Sequence, residues 1–394
     1  MLLSHDPARA FMPYPSVEVP HAETGPLSGL SFAVKDLFDV AGYPTGAGSP
    51  QMLAMSGLKT RTAPVVRALL NAGARFVGKT ITDELAFSMS GKNAHFGTPV
   101  NGRAPDRIPG GSSSGSASAV SSGLCDFALG TDTGGSVRAP ASHCGLFGIR
   151  PTHGRVSLEG CHDLAPSFDT CGYFARDGET FLRVGEVLLG ADSQALAVRP
   201  RLMLAGDAFG LLDGSVREAL APAVRKVEAL LGPAEAIDVA NEGFTALYWA
   251  MRYIQSREAW IVDGPMIERL KPPLGPGVAD RFAFAQDVTD RQVAEAQVIR
   301  KAFRERFKAL LGPDRILVLP TMPDVAPLLT ETDEALNDYR NKALNLQCLS
   351  VLSGLPQVSL PLATKDGAPL GLSLIGPAGS DLSLVALASG IVEG

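Results

Sequence analysis

Between Gly110 and Pro140 the chain reads GGSSSGSASAVSSGLCDFALGTDTGGSVRAP, with glycine-flanked serines on either side of a small-residue run and a short apolar run. Upstream, Phe32 to Asp36 (FAVKD) sets a lysine at the end of an apolar stretch. A serine hydroxyl is a weak nucleophile until a base takes its proton. The candidates are Lys35, the serines of 112–116 and Ser136. A lysine serves as base only when neutral, and burial against Phe32, Ala33 and Val34 would lower its pKa, because desolvation disfavours the charged form. A serine between lysine and nucleophile can relay the proton over one more hydrogen bond. Taken alone, Lys35 reads as a surface lysine paired with Asp36.

Thr133-Gly134-Gly135-Ser136 suits an oxyanion hole, since successive glycines let backbone N–H groups turn toward one point unobstructed. A phosphate-cradling turn is the competing use, but GxxxxGK[ST] does not occur. Gly111 to Gly115 formally matches GxSxG, the nucleophile elbow whose histidine must come late in the chain. The last histidine here is His162, so that reading fails. The six histidines (5, 21, 95, 143, 153 and 162) show no HExxH spacing, and His143 and His153 read as packing near the serine motif.

The elements that must position these residues read as an α/β layout. Leu30 to Val34 and Ala74 to Gly78 are expected strands around a helix at Ala63 to Ala72. Ser113 to Ser122 is nearly all small residues and is expected as a helix approached closely from every side, in the middle of the molecule. The mostly apolar run Leu124 to Gly130 follows as a strand. Residues 214–232, 242–272 and 279–312 read as helices, the second broken at Lys271-Pro272-Pro273. Ile316 to Leu319 is an expected strand, and Val358 to Leu362 with Leu370 to Ile375 an expected hairpin around Lys365-Asp366-Gly367. Ser380 to Val392 is a final helix. Residues 1–28 are Pro-rich and expected to wrap the surface. No internal repeat occurs, so a single domain over 1–394 with a helical elaboration is expected.

With 394 residues, 45% hydrophobic and 19% charged, the composition is that of a globular protein with a large core. A net charge of −6 with scattered basic residues excludes an electrostatic case for nucleic acid. Five cysteines (125, 144, 161, 171 and 348), with no CxxC pair, read as reduced core thiols of a cytoplasmic protein. No signal peptide and no apolar stretch long enough to span a membrane is legible. No metal and no cofactor is expected.

The chain resembles the amidase signature family. Gly110 to Ala141 fits GGSSxGSAxAVAxG…GxDTGGSxRxPA, Val77 to Ala86 fits VGKTxxDExA, and Phe147 to Thr152 fits FGxxPT. Ser167 to Asp177, Pro320 to Pro327 and the LSGLPQVSLPL and GLSLIGP segments extend the likeness over most of 30–394. The variable region 195–310 carries no motif and is expected to form the substrate pocket. The resemblance implies one α/β/α domain around a large mixed β-sheet. It makes Lys35 the base, Ser112 the bridging serine held by a cis peptide, and Ser136 the nucleophile, the two serines standing 24 residues apart. It makes Thr133, Gly134, Gly135 and Ser136 the oxyanion donors, Asp132 and Arg138 a structural ion pair, and Ser113 a supporting serine.

Residues 28–177 resemble plant-type indole-3-acetamide hydrolases and their chloroplast outer-envelope relatives. The implied reaction is hydrolysis of a small neutral aryl or apolar acetamide. Glutamine hydrolysis in the manner of the A subunit of the tRNA-dependent amidotransferase, or hydrolysis of a dicarboxylic amide of the malonamidase or allophanate type, is the alternative. The diacid reading usually needs an arginine just after the nucleophile, where this chain has Ala139. Some relatives are idle docking modules, but this chain keeps Lys35, Ser112 and Ser136. Tyr248, Trp249, Tyr253 and Trp260 are either an aromatic acyl pocket or ordinary helix core. The ligand expected is a small-molecule amide, with a homodimer left open.

Overall fold

Apolar runs without alternation, such as FAV in Ser31–Lys35 and FAL in Phe127–Thr131, belong to strands covered on both faces. A computed structural model, which describes residues 5–393, places them there. Among the described residues there are ten strands: β1 (Ser31–Lys35), β2 (Arg75–Thr80), β3 (Phe127–Thr131), β4 (Phe147–Arg150), β5 (Cys171–Ala175), β6 (Arg201–Ala205), β7 (Glu235–Ile237), β8 (Arg315–Pro320), β9 (Gln357–Lys365) and β10 (Ala368–Ile375). They form one sheet in the order β2-β1-β3-β5-β4-β9-β10-β8-β6-β7. β2, β1 and β3 run parallel, as do β8, β6 and β7, while the strands between these flanks pair antiparallel. Every residue of β3, β4, β5 and β10 is buried, so helices must cover both faces. The chain is thus a single α/β domain with a large mixed sheet, as expected.

The parallel flank decides where chemistry can happen. Parallel neighbours end at the same edge, and clefts outside carboxyl ends of strands are the usual ligand sites of such sheets. Val34 of β1 is in register with Leu129 of β3, so Lys35 and Thr131 finish their strands side by side. The helix Ser114–Ser121 lies against this flank, buried from Ser114 to Val120. Its Ser116 hydroxyl donates to the Leu129 carbonyl at 2.8 Å. Small side chains let the backbone come close: a Cβ on Gly115 would lie 2.3 Å from the Ala10 carbonyl oxygen.

That contact corrects the view of residues 1–28 as mere surface wrapping. Ala8, Ala10 and Met12 are buried. Ile81 N–H donates to Ala10 O at 2.9 Å and Met12 N–H to Lys79 O at 2.8 Å. The arm covers the free edge of β2, which would otherwise expose unpaired backbone groups.

The region expected to be helical between 195 and 310 contains the helices Gly214–Leu231, Phe244–Leu270, Pro276–Asp287 and Asp290–Leu311, and also strands β6 and β7, which extend the sheet. The span 279–312 is two helices, separated where Thr289 forms a capping box with Gln292. The helix Asp333–Ser353 lies outside the expected elements. Among the described residues, no helix is long and apolar enough to cross a membrane.

Candidate active site

Lys35 is completely buried at the end of β1. Its Nζ donates to Ser112 Oγ at 2.7 Å and to Thr131 Oγ1 at 2.8 Å. Burial pulls the Lys35 pKa down to about 8, against the opposing pull of Asp83 and, further down, Asp132 and Asp169. It is therefore no surface lysine paired with Asp36; Asp36 instead forms a buried 2.7 Å ion pair with Lys79.

Ser112 follows a cis peptide after Gly111. A Cβ on Gly111 would sit 2.3 Å from Asp83 Oδ2, so only glycine leaves room for that carboxylate. Asp83 N–H donates to the Ser112 carbonyl at 3.0 Å, and Thr82 Oγ1 donates to the same oxygen at 2.9 Å. These bonds tie the serine loop to the segment after β2. The sequence-based reading did not single out Thr131 or Asp83, although Asp83 lies within the VGKTxxDExA segment it quoted.

Ser136 stands on the loop after β3. Ser113 N–H donates to its carbonyl at 3.3 Å, and the Ser113 hydroxyl donates to Thr131 O at 3.2 Å, so both serine loops are held to the end of β3. Ser136 is 6% exposed, whereas Ser112 and Lys35 have no exposure. Among the three, the hydroxyl a substrate can reach is that of Ser136.

Asp132 organises this loop. Its carboxylate accepts from Arg138 Nη2 at 2.8 Å, Arg138 Nε at 2.9 Å, Arg150 Nη1 at 3.1 Å and Gly135 N–H at 2.9 Å. Val137 and Arg138 N–H groups add two more bonds at 3.2 Å. Burial alone would raise its pKa; the two guanidiniums and the N–H groups overcome this and hold the carboxyl well below the usual range. The expected Asp132–Arg138 pair is thus part of a triad with Arg150, which sequence reasoning missed. Thr133 Oγ1 donates to Asp169 Oδ1 at 2.5 Å. The Gly135 N–H turned to Asp132 departs from its expected role as oxyanion donor.

Each histidine near the motif has one ring nitrogen in a hydrogen bond, while the buried His143 Nδ1 has no partner among the described residues. His143 is buried, with Nε2 2.9 Å from the Tyr339 hydroxyl, and burial pushes its pKa down to about 3. His153 Nε2 lies 3.1 Å from the Pro166 carbonyl. His143 thus packs in the core and His153 is half-buried, in keeping with the packing expected of them.

A narrow pocket touching Ser136 and Gly134 is lined by Phe87, Met89, Gln255, Arg340 and Leu344, with a free volume of about 10 Å³. A cavity of about 540 Å³ adjoins it, sharing Ser88, Met89 and Arg340. Tyr248, Trp249, Tyr253 and Trp260 line neither. Tyr248 is buried and Trp260 packs beside a buried cluster containing Phe282, as the helix-core reading expects, whereas Trp249 is 39% exposed and stacks on the half-buried Tyr253.

The family profile "Amidase" matches residues 12–202 and 257–385. "Amidase 1" of Arabidopsis thaliana is 40% identical over 390 residues, covering 92% of each chain. "Outer envelope protein 64, chloroplastic" of Arabidopsis thaliana is 36% identical, over 94% of this chain and 67% of its own length. A solved structure described as "Crystal structure of amidase" superposes with a TM-score of 0.83 at 32% identity, covering 94% of this chain and 85% of that one.

Proposed function

The chain belongs to the amidase family, an amide-hydrolysing enzyme family, and from that premise we propose that it cleaves a small primary amide to a carboxylic acid and ammonia through an acyl-enzyme on Ser136. The observation that carries this is the buried Lys35 Nζ 2.7 Å from Ser112 Oγ beneath a pocket that exposes Ser136. In this reading neutral Lys35 takes the proton of Ser112, which takes that of Ser136 as its oxygen attacks the amide carbonyl. The negative charge that develops on the carbonyl oxygen is received by N–H groups of Thr133, Gly134 and Ser136. The proton returns through Ser112 to the leaving nitrogen, ammonia departs, and water releases the acid by the reverse relay.

Two readings of the acyl group compete. The likeness of residues 28–177 to indole-3-acetamide hydrolases favours an aryl or apolar acetamide, with Phe87, Met89 and Leu344 as its walls. Arg340 and Gln255 in the same pocket favour a charged amide instead. The retained Lys35, Ser112 and Ser136 argue against an idle docking module. Five free cysteines, four of them buried, support a reducing, cytoplasmic setting.

The test is fluorophosphonate labelling together with ammonia release from a panel of primary amides. We expect Ser136 to carry the label and Ser136→Ala to lose both label and turnover. Undiminished labelling of Ser136→Ala would overturn the assignment of the nucleophile.

A further inference from the structure

A proton relay that ends on a lysine creates a buried ammonium, and the burial that favours neutral Lys35 opposes that charge when it forms. Among the described residues, Lys35 Nζ donates only to the hydroxyls of Ser112 and Thr131, which carry no countercharge. The other buried lysine of this flank, Lys79, has a carboxylate in contact, that of Asp36 at 2.7 Å. For Lys35 the countercharge must come from beyond hydrogen-bond reach.

Three carboxylates act on Lys35 through space, Asp83 most strongly and then Asp132 and Asp169. The Cys161 thiol also lies near, but burial pushes its pKa well above the ordinary value and keeps it neutral. Asp132 is already met by Arg138 and Arg150. Asp169 accepts from Thr133 Oγ1 at 2.5 Å and, through Oδ2, from the Leu164 and Ala165 N–H groups at 2.9 and 3.0 Å. Asp83 is different. It has no exposure, its Oδ2 accepts one bond from Gly91 N–H at 3.0 Å, and its Oδ1 has no partner among the described residues. Lys35 and Thr80 are in register on β1 and β2, which brings Asp83, three residues on, to the serine loop. Both its carboxylate oxygens press on Gly111, a Cβ there lying 2.3 and 2.6 Å from them. The carboxylate therefore stands against the residue that precedes Ser112, the serine to which Lys35 is bonded. Burial raises the Asp83 pKa, opposed by Gly91 N–H, Ser88, Lys35 and Arg281. A buried carboxylate with one free oxygen is costly unless a nearby cation meets it.

We propose that Asp83 is a positioning residue of the relay, its carboxylate serving as the countercharge of the ammonium that forms on Lys35. This rests on the amidase reading above and adds a fourth group to it. As Ser136 Oγ bonds to the amide carbon, its proton passes to Ser112, the Ser112 proton passes to Lys35 Nζ, and the carbonyl π pair moves onto oxygen. The site then holds an oxyanion and a buried ammonium, and Asp83 stabilises the ammonium. When the C–N bond breaks, the proton returns from Lys35 through Ser112 to the leaving nitrogen, and Lys35 is neutral again. A carboxylate that acts through space leaves the Lys35 hydrogen bond to Ser112 intact in both charge states.

The experiment reads the rate of fluorophosphonate labelling of Ser136 against pH in the wild-type chain and in Asp83→Asn, which keeps the shape and removes the charge. The Asp83 charge opposes the downward pull of burial on Lys35. Without it the neutral base persists to lower pH, so the limb near pH 8 should move down by about one unit. The plateau rate should fall by up to about tenfold, the most that a base weakened by one unit loses in proton transfer. A purely structural role would slow labelling with the limb in place. A limb that stays or moves up overturns the proposal, and so does a plateau at the wild-type rate. Should Ser136 resist the label in the wild-type chain, the amidase reading falls, and Tm values below pH 8, where Lys35 is charged, judge Asp83 without it. There Asp83→Asn should lower Tm more in the wild-type chain than in Lys35→Met, and equal losses overturn the pairing. If Asp83→Asn alone does not fold, Lys35→Met/Asp83→Asn is expected to, because the ammonium that lost its countercharge is gone. Failure of that double variant where Lys35→Met folds also overturns the proposal.

Discussion

At the scale of single residues, the proposed relay depends on the protonation of Lys35. Its folded pKa lies near 8, below the 10.5 of a free lysine. The neutral form that accepts a proton is depleted as pH falls below that value. We therefore expect kcat/KM to rise with pH through a single limb centred near pH 8 and to level off above it. The limb should survive His143→Gln, since burial keeps His143 neutral at these pH values. A limb that moves with His143 would contradict a lysine base. Lys35→Ala and Ser112→Ala should each lower kcat by about 10²–10⁴, the usual weight of positioned proton transfer. Circular dichroism should show the fold intact. Near-full activity in Lys35→Ala would remove lysine from the mechanism.

At the scale of elements, the loop after β3 and the helix Arg138–Cys144 are joined through one buried carboxylate. Asp132→Ala would leave Arg138 and Arg150 buried without their counter-ion. We expect a loss of about 3–5 kcal/mol in urea unfolding, because the remaining charges stay desolvated. A change below about 1 kcal/mol would mean that the triad contributes little to the fold. The depressed Asp132 pKa carries a sign of its own. Its stabilisation is present above the ordinary carboxylate pKa and fades as pH falls through the lower folded value. Gly111→Ala is a second test at this scale, since its Cβ would overlap Asp83 Oδ2 at 2.3 Å. Activity should fall at least as far as in Ser112→Ala, because the loop carrying Ser112 must shift. Wild-type kinetics in Gly111→Ala would show that the loop tolerates displacement.

At the scale of the whole molecule, the region 195–310 is tied to the rest by continuous pairing, β8 joining both β6 and β10. Both tryptophans, Trp249 and Trp260, lie on the helix Phe244–Leu270 within this region. Their fluorescence reports that region, while far-ultraviolet circular dichroism reports all helices. We expect the two probes to give coincident urea transitions, as one cooperative domain requires. A fluorescence transition at lower urea would mean that this region unfolds separately.

Local sequence determined a good deal here. The apolar runs of β1, β3 and β8 and the hairpin of β9 and β10 announced themselves, because burial on both faces leaves few alternatives to branched and aromatic residues. The lysine, the two serine loops and the glycine pair were legible because their chemistry demands those residue types at short separations. What the sequence left unread was set by long-range packing. The short strands β4, β5, β6 and β7 are defined by partners distant in the chain, and no local periodicity marks them. Arg150 meets Asp132 only because β4 lies two places from β3 in the sheet. The helix Asp333–Ser353 had a readable start, with Thr332 as cap and Asp333 and Glu334 in its first turn. Its placement over Ser136 was not readable, and with it went Arg340. The environment of a titratable group is a property of everything folded around it. Sequence could name Lys35 as a base that needed burial, and only the tertiary structure could bury it.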